Sequence, residues 1–305
     1  MRKGTLSIIV AAAMAITACD KRDTNQVYPP GVGDNVLTIA QSQGNLGVFV
    51  QAVEKAGMKD DFSKLGQYTF LVPSDAAFAA AGINAAAINA MPADQLRTIL
   101  RYHIISGRVR SLDLLPGPNS AYTTMGRDSI FTSTYGTNVY FNGKKVAKTD
   151  ILSNNGLIHI LDGVLLPPAG NLSTTIAPDT SLTFLAAAIA RANLAATLNA
   201  ASPRLTIFAP TNAAFRAAGF PNIDSINVAS PAALSNIIRY HAVPRRIYAV
   251  DVAPGTLPTL QGGALTVVAG GGLKGISNTT NATITPKDLQ YRNGVVHIID
   301  RVLLP

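Results

Sequence analysis

One line of this chain is written twice, and that duplication limits its possible folds more than any other feature. "YTFLVPSDAAFAAAG", Tyr68 to Gly82, returns as "LTIFAPTNAAFRAAG", Leu205 to Gly219. The correspondence continues downstream. "LRTILRYHIISGRV" (Leu96 to Val109) matches "LSNIIRYHAVPRRI" (Leu234 to Ile247), and "NGLIHILDGVLLPP" (Asn155 to Pro168) matches "NGVVHIIDRVLLP" (Asn293 to Pro305). Partner positions lie 137 or 138 residues apart: Pro73 with Pro210, His103 with His241, His159 with His297. A period this long means two whole domains rather than a solenoid of short units. The 305 residues are enough for each half to bury its own core. The duplicated segments are therefore expected to build two independent bodies.

Within each copy the repeated line reads as architecture. An apolar, β-rich run is stopped by Pro73 or Pro210. Ser74 or Asp75, and Thr211 or Asn212 in the second copy, then suit the cap of a following helix. Phe78 and Phe215 face the core one turn in, and Gly82 and Gly219 suit the helix stop. Next, Leu96, Ile99, Leu100 and His103 fall on one helical face, as do Leu234, Ile237, Ile238 and His241. Each of these histidines closes a helix on its apolar stripe, where unpaired carbonyls want a donor. They are expected to be buried and to tie the last helical turn to a neighbouring strand. Tyr102 and Tyr240 lie off that stripe and are the more plausible exposed partners if these segments make a contact; whether the segments bind or pack is left open. His159 and His297 alternate with apolar neighbours as in a strand and read as satisfied core residues.

Three motifs in this order, each present twice, resemble the fasciclin (FAS1) family: a strand–Pro–[Ser/Thr]–[Asp/Asn]–x–Ala–Phe segment, a Tyr-His helix end, and a closing NG-hydrophobic-H-x-x-D-x-V-L-x-P. The resemblance implies an α+β fold of two tandem fasciclin-like domains, each a small β-sandwich wedge flanked by several helices. The domains are placed at 35–168 and 171–305, and the join "PPAGNLSTTIAPDT" is expected to limit but not forbid relative motion. The resemblance also implies an extracellular setting and a part in adhesion or in protein or glycan binding. In that family the Tyr-His pair is discussed as an adhesion determinant, which makes Tyr102, His103, Tyr240 and His241 candidate binding residues.

The front end reads "MRKGTLSIIVAAAMAITACDKRD". Arg2 and Lys3 precede an apolar stretch, Leu6 to Ala18, that is short for a bilayer span. Cys19, the chain's single cysteine, follows directly. "ITAC" resembles a bacterial lipobox, with Ile16 in place of the usual leucine; the competing readings are a plain secreted leader and a retained membrane helix. The lipobox resemblance implies a signal peptide over 1–18, a lipid anchor on Cys19 and a tether over 19–34. It implies a cell-envelope location, outer membrane by expectation, with the face of the membrane left open. With Cys19 acylated, no thiol remains for disulfides.

Charge and composition exclude several classes. Of 17 acidic residues only Glu54 is a glutamate, which leaves little for glutamate-based catalysis. The net charge of +8 is scattered, its basic pairs Lys144-Lys145 and Arg245-Arg246 lacking the aromatic interleaving of a polynucleotide binder. Two histidines per copy with no adjacent carboxylate or thiolate fall short of a zinc ligand set, so neither a metal nor another cofactor is expected. No G-x-S-x-G or H-E-x-x-H occurs, and no enzyme is expected. "GGGLKG", Gly270 to Gly275, fits G-x-G-x-x-G but precedes the β-branched "ISNTTNATI" rather than a helix, and reads as a hairpin turn. From Asn35 to Gly170 there are 11 basic and 9 acidic residues, net +2; from Asn171 onward 10 and 5, net +5. An anionic ligand would therefore favour the second copy, with Arg239, Arg245 and Arg246 beside its Tyr-His segment as candidates. The alternative function is an accessory glycan-binding lipoprotein of a carbohydrate-uptake system, which would need Tyr135, Tyr140 or Tyr291 exposed in a groove.

Overall fold

The computed structural model describes residues 33–305 except 169, 177, 201–203 and 286–287. The leader, Cys19 and all but the end of the tether lie outside the described residues. Among the described residues no helix is long and apolar enough to cross a membrane.

The first copy contributes strands β1 (Tyr68–Pro73), β2 (Ile104–Ser106), β3 (Gly117–Thr123), β4 (Ser129–Tyr135), β5 (Asn138–Phe141), β6 (Lys144–Ser153) and β7 (Gly156–Leu161). They form one sheet in the order β2-β1-β7-β6-β5-β4-β3, with β1 and β7 parallel. Two register shifts bend β6 where it runs beside β7. The second copy contributes β8 (Leu205–Pro210), β9 (Ala242–Val243), β10 (Gly255–Pro258), β11 (Ala264–Val267), β12 (Leu273–Lys274), β13 (Leu289–Tyr291) and β14 (Gly294–Ile299). There the strands divide into β13-β14-β8-β9 and β10-β11-β12, with β8 and β14 again parallel.

Each central strand is buried on both faces, so alternate residues enter different cores. Phe70 and Val72 of β1 join a helical core with Phe49, Phe62 and Phe78, while Leu71 joins a β-core with Ile130 and Phe141. Ile207 and Ala209 of β8 likewise enter the helical core containing Phe215, and Phe208 enters the β-core containing Leu265 and Leu273. Mixed α+β layers of this kind match the fold expected from the resemblance.

The repeated line folds as strand, cap and helix. The Ser74 side chain accepts from the Ala77 amide at 3.1 Å and Thr211 from Ala214 at 3.2 Å, and Gly82 and Gly219 close their helices at φ +70° and +92°. Asp75 and Asn212 have a different task. Asp75 accepts from the Gly47 and Val48 amides, at 3.2 and 2.8 Å, and so caps the preceding helix Gly47–Lys55. Asn212 accepts from Phe184 at 2.9 Å and so caps the helix Thr183–Arg191. "GGGLKG" spans the turn between the antiparallel β11 and β12, with Gly270 and Gly271 at φ +88° and +81°. The join contains a helix, Leu172–Ile176, whose two named ends pack into the second helical core.

The two bodies are not independent. Phe131 of β4 forms a buried cluster with Tyr248 and Val295 of the second copy. Asn142, in the left-handed region at φ +47°, accepts from the Phe131 amide and from the Tyr248 hydroxyl, each at 2.9 Å, and donates to the Tyr102 oxygen at 2.9 Å. Tyr135 donates to Asp251 at 2.9 Å. Gly143, at φ +76°, lets side chains of the second copy come close: a Cβ there would stand 2.7 Å from the Asp288 carboxylate.

Candidate binding groove at the domain junction

The Tyr-His segments end the helices Ala93–Tyr102 and Pro231–Tyr240. His103 Nδ1 lies 2.9 Å from the Ile99 carbonyl, and its Nε2 accepts from the Leu165 amide at 3.0 Å. His241 repeats this with Ile237 at 2.9 Å and Leu303 at 2.8 Å. A carbonyl only accepts and an amide only donates, so both rings are neutral with the proton on Nδ1. Desolvation holds both well below the ordinary histidine value, at about 4. The expected tie to a strand proves to be a tie to the segment that follows β7 or β14.

Tyr102 and Tyr240, the more plausible exposed partners from the sequence, are fully buried. The helix is wedged between two cores: its leucine and isoleucine stripe enters the helical one, while its terminal tyrosine enters the β-core on the other side. The Tyr102 hydroxyl donates to the Ser129 carbonyl at 2.9 Å and Tyr240 to Ala264 at 2.7 Å. Burial pushes the Tyr102 phenol up to about 12. Neither tyrosine, nor either histidine beside it, is available at the surface of this structure.

The strand histidines carry the opposite tautomer. His159 Nδ1 accepts from the Asp150 amide at 3.2 Å and its Nε2 lies 2.8 Å from the Val109 carbonyl; His297 pairs likewise with Asp288 and Ile247, at 3.2 and 2.9 Å. Asp288, buried against His297, has its carboxyl pushed above the usual range by desolvation. Among the described residues no group of three or more His, Cys, Asp or Glu is placed to hold a metal ion.

The arginine candidates divide. Arg239 is exposed on its helix, Arg245 is exposed, and Arg246 is 5% exposed. Arg246 runs beneath the junction, donating to the Gly294 carbonyl at 3.1 Å, with its guanidinium carbon 4.2 Å from the centre of the Phe131 ring. Arg204 lies 5.2 Å from the same ring. A groove of about 460 Å³ opens here, lined by Pro118, Ala121, Phe131, Arg204, Arg245 and Asp251 among others. A recess of about 180 Å³ shares Phe131, Arg204 and Arg246 with it and adds Arg127, Tyr291 and Arg292. Sequence reasoning found Arg245 and Arg246 but missed Phe131, Arg204, Arg127 and Arg292, which become neighbours only when the domains dock. Of the three tyrosines of the uptake alternative, Tyr135 is exposed, at 40%. Tyr291 is buried in the second helical core, and the Tyr135 and Tyr140 rings are 6.5 Å apart and tilted by 60°.

Comparison with known proteins accounts for the shared plan of the two halves. The family model described as "Fasciclin domain" matches residues 44–167 and again 180–305. Transforming growth factor-beta-induced protein ig-h3 of Oryctolagus cuniculus is 29% identical over 246 residues, covering 79% of this chain and 35% of that protein. Immunogenic protein MPB70 of Mycobacterium bovis is 36% identical over 129 residues, 41% of this chain and 63% of that protein. A solved FAS1 domain pair from the insect cell adhesion molecule Fasciclin I superposes with a TM-score of 0.42 at 21% identity, over 86% of this chain and 97% of that one. The chain spans about a third of the length of the first of these relatives. Two consecutive matches that together cover most of the sequence decide the matter: the chain belongs to the fasciclin-domain family and carries two copies of that domain.

Proposed function

We propose that this protein is a lipid-anchored component of a bacterial cell envelope that presents two docked fasciclin domains for adhesion to an external protein or glycan, without chemistry on its ligand. Fasciclin domains occur in adhesion-related proteins. The observation that carries the reading is the state of the histidines: all four have both ring nitrogens engaged with backbone groups. A neutral imidazole held by a carbonyl on one side and an amide on the other has no lone pair for general base catalysis. What the scaffold offers instead is surface. "ITAC" at the end of an apolar leader supports acylation of Cys19, since several acyl chains on one residue suffice for stable anchoring.

The test combines labelling with access. Cells expressing the chain with a tag after Pro305 are fed a radiolabelled or clickable fatty acid and then treated with external protease. The expected result is label that depends on Cys19, lost in Cys19→Ser, and a tag cleared by protease on intact cells. A chain that takes no label, or a tag fully protected while a surface control is cleaved, refutes the anchored or the surface-facing half of the proposal respectively.

A further inference from the structure

We propose that the groove at the domain junction is a binding site for an acidic polysaccharide strand of the uronate class, recognised by the arginines gathered around Phe131. The inference deepens the ligand-binding reading above and rests on it. Arg204, Arg245, Arg246 and Arg292 come from the second domain, and docking adds Arg127 and the Phe131 ring of the first. Among the described residues none of Arg127, Arg204, Arg245 and Arg292 has a carboxylate within 4.0 Å, whereas Arg97 and Arg110 elsewhere on the surface do. Two aspartates share the region, Asp128 and Asp251. Asp251 already accepts from the Tyr135 hydroxyl and the Tyr248 amide, at 2.9 and 3.0 Å. Five guanidinium groups against two carboxylates leave the groove strongly positive.

The arrangement is also preorganised. Arg204 lies against Phe131, and stacking a guanidinium on a ring fixes its plane while leaving its donor edge to meet a carboxylate. Arg246, on the same ring, is buried and donates to the Gly294 carbonyl, so it contributes charge from beneath. The groove and the smaller recess share these three residues and so flank the stack. A ligand that repeats its acid groups along its length reaches both; a single small anion reaches one. Tyr291, one of the residues around the recess, has its hydroxyl buried without a hydrogen-bond partner among the described residues. The neighbouring sheet edge argues against an acidic peptide. β3 is the outer strand there, and it carries Pro118 and a bulge between Pro118 and Ser120. Both features blunt main-chain pairing with an added strand. Recognition is left to side-chain donors, which suits a chain of uronates.

The experiment titrates the full lipidated chain in detergent with a size-defined oligogalacturonate at low salt by calorimetry. Saturable binding is expected, weakened by added salt. Arg204→Gln and Arg245→Gln should each lose about tenfold in affinity, while Arg239→Gln, on a helix away from the groove, binds as the parent does and all three melt with it. The proposal is overturned by absence of saturable binding, by groove variants that bind like the parent, by equal affinity for a neutral dextran oligomer of the same length, or by tighter binding of an oligoglutamate of equal charge. Those results leave acylation and surface display untouched, so they are distinguishable from failure of the reading on which this inference rests.

Discussion

Lowering the pH from 7 to 5 should destabilise each domain through its buried helix-end histidine, to which the likewise depressed His159 adds in the first domain, and the structure sets the size of the helix-end effect. His103 and His241 are neutral, with Nε2 facing a backbone amide that can only donate. A second proton there would meet an N–H and place an unpaired charge in the interior. In the unfolded chain these groups titrate near 6.5, and in the folded one burial lowers them to about 4. A depressed folded value means that the native state holds fewer protons, so the stabilisation is fully present above about pH 6.5 and is lost as pH falls toward 4. Linkage with those two values gives a loss of about 2 kcal/mol per histidine between pH 7 and pH 5. Urea unfolding at several pH values measures it, provided the slope of free energy against urea stays constant. In His103→Gln the stability at pH 7 falls, because the Leu165 amide loses its acceptor geometry, but the further loss between pH 7 and pH 5 in the transition of the first domain shrinks by about 2 kcal/mol. A free energy that is flat over this range, or an acid loss unchanged in the variant, refutes the reasoning.

Two other perturbations test the junction and the caps. Phe131→Ala should cost about 3 kcal/mol, drawn from domain docking rather than from either core, so solution scattering should show a wider spread of interdomain arrangements; an unchanged scattering curve contradicts the shared cluster. Asp75→Ala should cost about 1 kcal/mol because the helix Gly47–Lys55 loses its cap, whereas Asp75→Asn should be nearly silent in thermal melts, since Asn212 does the same work in the second copy. Equal losses in both variants would mean that the charge, not the cap, matters.

Most of each domain was legible because local chemistry and tertiary role agree there. Pro73, Ser74, Phe78 and Gly82 act where the sequence places them, as a strand end, a cap, a core residue and a left-handed stop. Asp75 was misread because an acidic residue at the start of a helix suits its own helix equally well; nothing local says that it reaches back to Gly47. Tyr102 and Tyr240 were misplaced because helical periodicity identifies one apolar face and assigns the rest to solvent. A helix pressed between two cores has no such outside, and the second core is built from strands far away in the chain. The junction left no local signal beyond the Arg245-Arg246 pair.

The way the copies differ explains why the junction could not be read from the repeat. Both domains anchor the helix-end tyrosine on a carbonyl, Ser129 in one and Ala264 in the other, and both give its oxygen a second partner. In the second copy that partner is the Ile276 backbone amide, 3.2 Å away, and the Ile276 side chain is left 72% exposed. In the first copy the partner is the Asn142 side chain, whose carbonyl oxygen then accepts from Tyr248 across the junction. One anchoring problem thus has two solutions, and only the solution that uses a side-chain amide has a spare acceptor to offer a neighbouring domain. An Asn142→Ala change should therefore loosen the domain pair as well as the Tyr102 anchor. Ile276→Ala, at the residue whose amide fills the same role in the second copy, removes an exposed side chain and should do neither.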